Sequence, residues 1–268
     1  MSDAPEHRWH RGNSLLVGGL RKRAIVLAGA VVLLLLLLAA VLHRAAAQAE
    51  LVRADPDAIL ADARLRDVVL AAGADIFRRR CAACHGADGR GQGAGMPDLT
   101  DHDWLYGEGH VAEIEGVVRY GIRSRHPKGW NLASMPAYAS ERPYAAEPLP
   151  ALAPRETEDV VQLLLADEGR SADPVAVTRG RAVYAKAGCW DCHGPDGRGD
   201  SAIGAPNLRD GATLYGGSAE SLRWSVERGR RGVSPAFAGR LSPFEIRAVA
   251  VYAASLSRRG TAALRTAS

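Results

Sequence analysis

Cys81-Ala82-Ala83-Cys84-His85 returns later in the chain as Cys189-Trp190-Asp191-Cys192-His193, and the reading of the fold works outward from this pair. Two thiols two residues apart, followed at once by a histidine, form the attachment pattern of a c-type haem. One helical turn presents both sulfurs to the two vinyl groups on a porphyrin edge, and the next residue falls under the iron as the proximal ligand. All four cysteines of the chain lie in these motifs. A thioredoxin-like pair would need a strand-turn-helix context, whereas Gly, Pro and helical patterns flank these. A four-cysteine zinc site would leave both histidines without a role. Cys81, Cys84, Cys189 and Cys192 therefore read as covalent attachments of two haem c groups, with His85 and His193 as iron ligands.

The flanks repeat as well. Gly73 to Phe77 and Gly180 to Tyr184 precede the motifs, and Asp88 to Gly91 and Asp196 to Gly199 follow them. Pro97-Asp98-Leu99 matches Pro206-Asn207-Leu208, and Leu105-Tyr106-Gly107 matches Leu214-Tyr215-Gly216. Arg119-Tyr120-Gly121 matches Glu227-Arg228-Gly229, and Met135-Pro136 matches Ser234-Pro235. Self-similarity over this length means two copies of one domain. Pro97 and Pro206 stand where class I cytochromes use a proline carbonyl to hold the proximal imidazole.

A low-spin haem takes a sixth ligand, usually Met or His. For the first haem the candidates are Met96, Met135, His102, His110 and His126, and Met135 sits on the loop that carries this ligand in class I cytochromes. For the second haem the matching residue is Ser234, and the second copy contains no Met and no His besides His193. The second iron is thus expected to be five-coordinate or weakly ligated. Lys186, a tyrosine or a partner protein are the other sources of a ligand.

Ahead of the repeats, Ala24 to Leu42 is a run of 19 uncharged, mainly apolar residues. As a helix it spans ~29 Å, close to the ~30 Å hydrocarbon core of a bilayer. Five Lys/Arg precede it and only Arg44 and Arg53 follow closely, so the N-terminus is expected in the cytoplasm and the remainder outside. A signal peptide cleaved near Ala45 to Ala49 is the competing reading. The expected layout is a cytoplasmic segment 1–23, a transmembrane helix 24–42, a first cytochrome domain 43–166, a linker 167–175, a second domain 176–257 and a tail 258–268.

Periodicity predicts helices over residues 50–80, 110–120 and 155–166, and from Ser242-Pro243-Phe244-Glu245 to about Leu256. Five of the fourteen prolines crowd the loop from Pro136 to Pro154. No strand pattern appears, so the fold class is all-α: one membrane helix followed by two tandem class I cytochrome c domains. The net charge of +4 is modest, and the C-terminal arginines are not interleaved with stacking aromatics, which excludes nucleic acid. One of Arg228, Arg230 and Arg231 is a candidate partner for a haem propionate.

These stretches together resemble the dihaem subunit of cbb3-type cytochrome c oxidase, CcoP or FixP. The resemblance covers about residues 55–257. Its most specific parts are Pro97-Asp-Leu-Thr-Asp-His-Asp-Trp-Leu-Tyr-Gly107 and Gly121-Ile-Arg-Ser-Arg-His-Pro127 with Met135-Pro136, in tandem with the second motif. It implies a single-pass protein of a bacterial inner membrane with its haems in the periplasm. Electrons would arrive from a soluble cytochrome c or a bc1 complex. They would pass, beside a monohaem cytochrome c subunit, to the haem–copper catalytic subunit, with no bond chemistry in this chain. His85 and Met135 would ligate the first haem and His193 the second. The alternatives are a shuttle for a periplasmic dehydrogenase and, using an open second haem, a dihaem peroxidase or a gas sensor.

Overall fold

The apolar run lies within one helix, α1 (Gly12–Arg53). No proline interrupts it, and the Ala, Gln, Glu and Leu residues after Leu42 are good helix formers. The segment Arg23–Arg53 is long and apolar enough to cross a membrane, and its apolar side chains are exposed, Leu34 by 65%. The computed structural model describes residues 12–141, 151–211 and 213–266, and side chains from 23 to 257 within them. Residues 1–11 of the polar lead-in, 142–150 of the proline-rich loop and the last two of the tail lie outside the described residues.

Residues Ala54–Ser268 form a second unit. A single helix over 50–80 is not what the chain makes. It takes a 3₁₀ turn at Pro56–Ala58 and starts again as α2 (Ala63–Arg80). Asp62 causes the restart, because its carboxylate accepts the backbone N–H of Arg64 at 2.8 Å and of Leu65 at 3.3 Å. The first motif is the one-turn helix α3 (Ala82–His85), and α4 (Val111–Tyr120) follows. Then come α5 (Pro154–Asp167), α6 (Pro174–Lys186) and the second motif, α7 (Trp190–His193). The unit ends with α8 (Ala219–Arg228) and α9 (Pro243–Thr266). Ser242 and Glu245 cap α9 reciprocally, at 2.8 and 3.3 Å. Past Leu256, Ala, Leu and Arg carry α9 on to Thr266, through what the sequence suggests is a tail. No strand occurs among the described residues; the loops meet only in isolated bridges.

The closing helices are exchanged. The helix that ends the first copy, α5, packs on α6 and α8 of the second, while α9 of the second packs on α2 and α4 of the first. The crossings are close. A Cβ on Gly73 of α2 would strike the backbone oxygen of Ala248 and the Cβ of Tyr252 in α9. Its counterpart Gly180 of α6 would strike the backbone oxygen of Asp159 in α5. Backbone cannot move aside as a flexible side chain can. Gly73→Val is therefore expected to cost about 1–3 kcal/mol or more, read as an earlier denaturation midpoint that shows first at the His85 half.

Charge selects this pairing over the unexchanged one. Glu115 of α4 and Arg223 of α8 are counterparts in the repeat, as are Glu158 of α5 and Arg247 of α9. Across the exchanged contacts Arg247 Nε donates to Glu115 at 2.5 Å, and Arg223 Nη2 donates to Glu158 at 2.6 Å. Without the exchange, Glu115 would face Glu158 and Arg223 would face Arg247. The Arg247–Glu115 pair is nearly buried, with side-chain exposures of 9% and 13%, where an unpaired or like charge costs most. Asp159, also buried, accepts from Arg179 of α6 at 2.8 and 2.6 Å, which holds its carboxyl below the usual range. The residue matching Arg179 on α2 is Ala72, which could not serve it.

Candidate functional site

Each motif turn ends at a glycine in the left-handed region, Gly86 at φ 79° and Gly194 at φ 77°. This reversal sends the chain round to the proline opposite the histidine. Nδ1–H of His85 donates to the Pro97 carbonyl at 3.3 Å, and Nδ1–H of His193 to the Pro206 carbonyl at 3.0 Å. A carbonyl can only accept, so Nε2 is the nitrogen left with a lone pair. Burial pushes both imidazoles toward the neutral form, against the opposing effect of the carbonyl bond. A neutral, oriented ring with one lone pair is what a metal ligand requires.

The sulfurs behave differently from redox or zinc thiols. All four are thiols rather than disulfides. Burial, then the neighbouring Cys84, pushes Cys81 up to about 11, and burial, then Asp191 and Asp200, raises Cys192. Low-pKa thiolates are absent from this pair. Among the described residues no cluster of three or more His, Cys, Asp or Glu could hold a metal ion. What the motifs do face is a cavity of about 480 Å³, mostly apolar, lined by all four cysteines and both histidines. The donor set fits two covalently held haems: thiol pairs on one edge of each site, a neutral imidazole beneath and apolar walls around.

The distal loops are exchanged like the helices. Met135 and Arg230 bond each other's backbone at 3.1 and 3.2 Å, and the N–H groups of Tyr138 and Ala139 donate to Val226 and Glu227 of α8. In mirror fashion Ser234 and Ile122 bond each other at 3.0 and 2.9 Å, and Phe237 and Ala238 donate to Val118 and Arg119 of α4. Each loop passes over the glycine that ends the other copy's helix, Gly121 at φ 73° and Gly229 at φ 69°. A side chain there would strike the loop as well as strain the backbone.

Sequence order pairs Met135 with the first motif, but in the structure Met135 packs beside the second. Met135, Cys189, Leu208 and Leu222 all pack against one cluster that includes Tyr138, Val160, Leu164, Val183 and Val226. The Ser234 loop lies instead over α4, on the side closed by α9, whose Tyr252 ring stands 5.3 Å from Phe77, itself 6.5 Å from the His85 ring. The reason is the crossing of each chain segment after Gly121 and Gly229, which periodicity does not report.

Of the other predicted candidates Met96 lines the cavity, whereas His102, His110, His126 and Lys186 do not. His126 lies against the Tyr120 ring at 4.8 Å and accepts the Lys128 N–H on Nδ1 at 3.1 Å. His110 stands beside Asp57 and Glu108 at the surface. Lys186 donates to Glu156 of α5 at 2.8 Å. Met96 is 41% exposed, next to Pro97 on the proximal side. Arg230 does line the cavity, between the rings of Tyr215 and Trp224 at 4.0 and 4.2 Å.

One residue escapes sequence reasoning. Arg123 is the single non-glycine with positive φ, 46°, among the described residues. Its Nε donates to Gly232 at 2.5 Å and its Nη1 to Ala133 at 2.6 Å, so it ties both distal loops at once. Nothing local in the sequence marks it, because both acceptors are backbone groups brought in by the exchange. Tyr106 and Tyr215 also act reciprocally, each lying against the other copy's glycine, Gly204 and Gly95.

Comparison with known proteins agrees with this arrangement of motifs. Residues 70–166 match the model of the cytochrome c family, and residues 175–252 match that of "Cytochrome C oxidase, cbb3-type, subunit III". The chain is 40% identical over 219 residues to the cbb3-type cytochrome c oxidase subunit CcoP of Rhodobacter capsulatus, covering 79% of this chain and 70% of that one. It is 35% identical over 208 residues to CcoP of Cereibacter sphaeroides (78% and 68% covered) and 35% over 214 residues to FixP of Azorhizobium caulinodans (80% and 68%). With two attachment motifs, two oriented histidines and this likeness along most of its length, the chain belongs to the CcoP/FixP family of cbb3-type cytochrome c oxidase subunits.

Proposed function

We propose that this protein is the membrane-anchored dihaem subunit that carries electrons toward the haem–copper catalytic subunit of a cbb3-type oxidase. One observation carries the reading: both attachment motifs open on a single apolar cavity within one unit. Two haems held there would lie in one shared cavity, and the chemistry they would supply is single-electron exchange. The residues serve that task without bond chemistry. Cys81 and Cys84, and Cys189 and Cys192, would fix the porphyrins. Pro97 and Pro206 set the angle of His85 and His193. Apolar walls exclude water and so limit the reorganisation that accompanies each charge change. Met135 would bind the iron above His193, and a thioether there raises the potential.

The anchor reading rests on α1, with its charged N-terminal flank in the cytoplasm and the haem unit in the periplasm. A soluble cytochrome c or a bc1 complex would be the donor. Affinity purification of the tagged protein from membranes tests the assignment. The expected result is co-purification of a haem–copper subunit and a monohaem cytochrome c subunit, with oxygen consumption driven by reduced cytochrome c. Recovery of a dehydrogenase with no haem–copper subunit would overturn it.

A further inference from the structure

We propose that the haem held by Cys81, Cys84 and His85 has no protein side chain on its sixth position and binds a small neutral diatomic ligand there. The inference rests on the haem reading above and concerns the first haem, where sequence order alone points to the second.

The distal cover of this site is the loop around Ser234, fastened to α4 through Ile122, Val118 and Arg119. A serine hydroxyl is a poor iron ligand beside the thioether that stands at the matching place, Met135. Other sources are spoken for. The chain has three methionines: Met1 at the N-terminus, Met135 packed with Cys189, and Met96, which lines the cavity but adjoins Pro97, the acceptor of the proximal His85 N–H. Of the tyrosines that line it, Tyr184 donates to the Gly194 carbonyl, Tyr138 packs in the cluster with Met135, and Tyr106 and Tyr215 lie against Gly204 and Gly95. The only histidines lining the cavity, among the described residues, are His85 and His193, and no lysine lines it.

What does line it on this side is Ile114, Val117, Val118, Ile122, Pro235 and Phe237. Arg123 also lines the cavity, but its Nε and Nη1 donate to the Gly232 and Ala133 carbonyls, so the apolar walls offer a charged ligand little to replace its hydration. They accept a neutral diatomic such as carbon monoxide or nitric oxide, which needs only the iron.

The test uses the full-length dihaem protein, reduced, titrated with carbon monoxide and followed by the Soret difference spectrum. Haem content is measured first: fewer than two haems c per chain would overturn the underlying haem reading, not this proposal alone. With two haems present, half the haem is expected to bind carbon monoxide. Ser234→Met is expected to lose that binding, and Ser234→Ala to keep it, which separates ligation from misfolding. No binding by the unaltered protein would overturn the proposal, as would full retention by Ser234→Met. A variant with Cys189→Ala and Cys192→Ala, which keeps only the first haem, is expected to bind one carbon monoxide per haem. Failure of that single haem to bind, when the dihaem protein does, would place the open iron at His193.

Discussion

Met135→Ala is expected to convert the haem at Cys189, Cys192 and His193, not the haem at His85, from six-coordinate to open. Met135 packs with Cys189, Leu208 and Leu222, and its loop is bonded along the end of α8. Removing the thioether takes away the ligand that raises the potential, so the midpoint of that haem falls. Carbon monoxide binding rises from half the haem to all of it. Met135→His is expected to keep the haem closed with a lowered potential, because imidazole ligates well but stabilises the ferric state more. Reductive titration with carbon monoxide difference spectra checks both. A Met135→Ala protein whose second haem still refuses carbon monoxide would show that another group fills the position.

Ending the chain after Leu241 is expected to destroy the first haem site and spare the second. In a simple tandem arrangement the opposite would hold, since α9 belongs in sequence to the second copy. Here α9 covers α2 and α4. Ile246, Val249 and Val251 are almost fully buried, and each buried side chain of this kind contributes about 1.5–3 kcal/mol. Truncation also uncovers Val69, Ile76 and Phe77 on α2 and leaves Glu115 buried without Arg247. Together these losses reach the ~5–15 kcal/mol that holds a domain folded. The second site keeps α5, α6 and α8 with the Asp159–Arg179 and Glu158–Arg223 pairs. Limited proteolysis with haem staining of the fragments reads the outcome directly.

The parts legible in the sequence are those fixed by near neighbours. The attachment turns, the glycine ends of α4 and α8 and the Ser242–Glu245 cap depend on residues within a few positions of one another. So does the apolar run of α1. The split before α2 was hidden because Asp62 sits within a continuing apolar period, and a cap outweighs periodicity only where its geometry is realised. The exchange of α5 and α9 was hidden for a different reason. Hydrophobic spacing says that a helix has an apolar face and does not say which of two similar faces covers it. A signal did exist in the charge reversal between repeats, with Glu115 and Arg247 against Arg223 and Glu158. Each looks like a solvated surface charge until the two copies are set side by side and the unexchanged contacts are seen to join like charges.

The exchange packs Met135 beside the motif that follows it in the chain, so the proposed thioether ligand would serve the haem at His193. The most direct test is the near-infrared charge-transfer band of ferric haem with a thioether ligand, recorded on two full-length single-haem variants. With Cys81→Ala and Cys84→Ala, leaving only the haem at His193, the band is expected to be present. With Cys189→Ala and Cys192→Ala, leaving only the haem at His85, it is expected to be absent. The band on the His85 haem and not on the His193 haem would contradict the exchange.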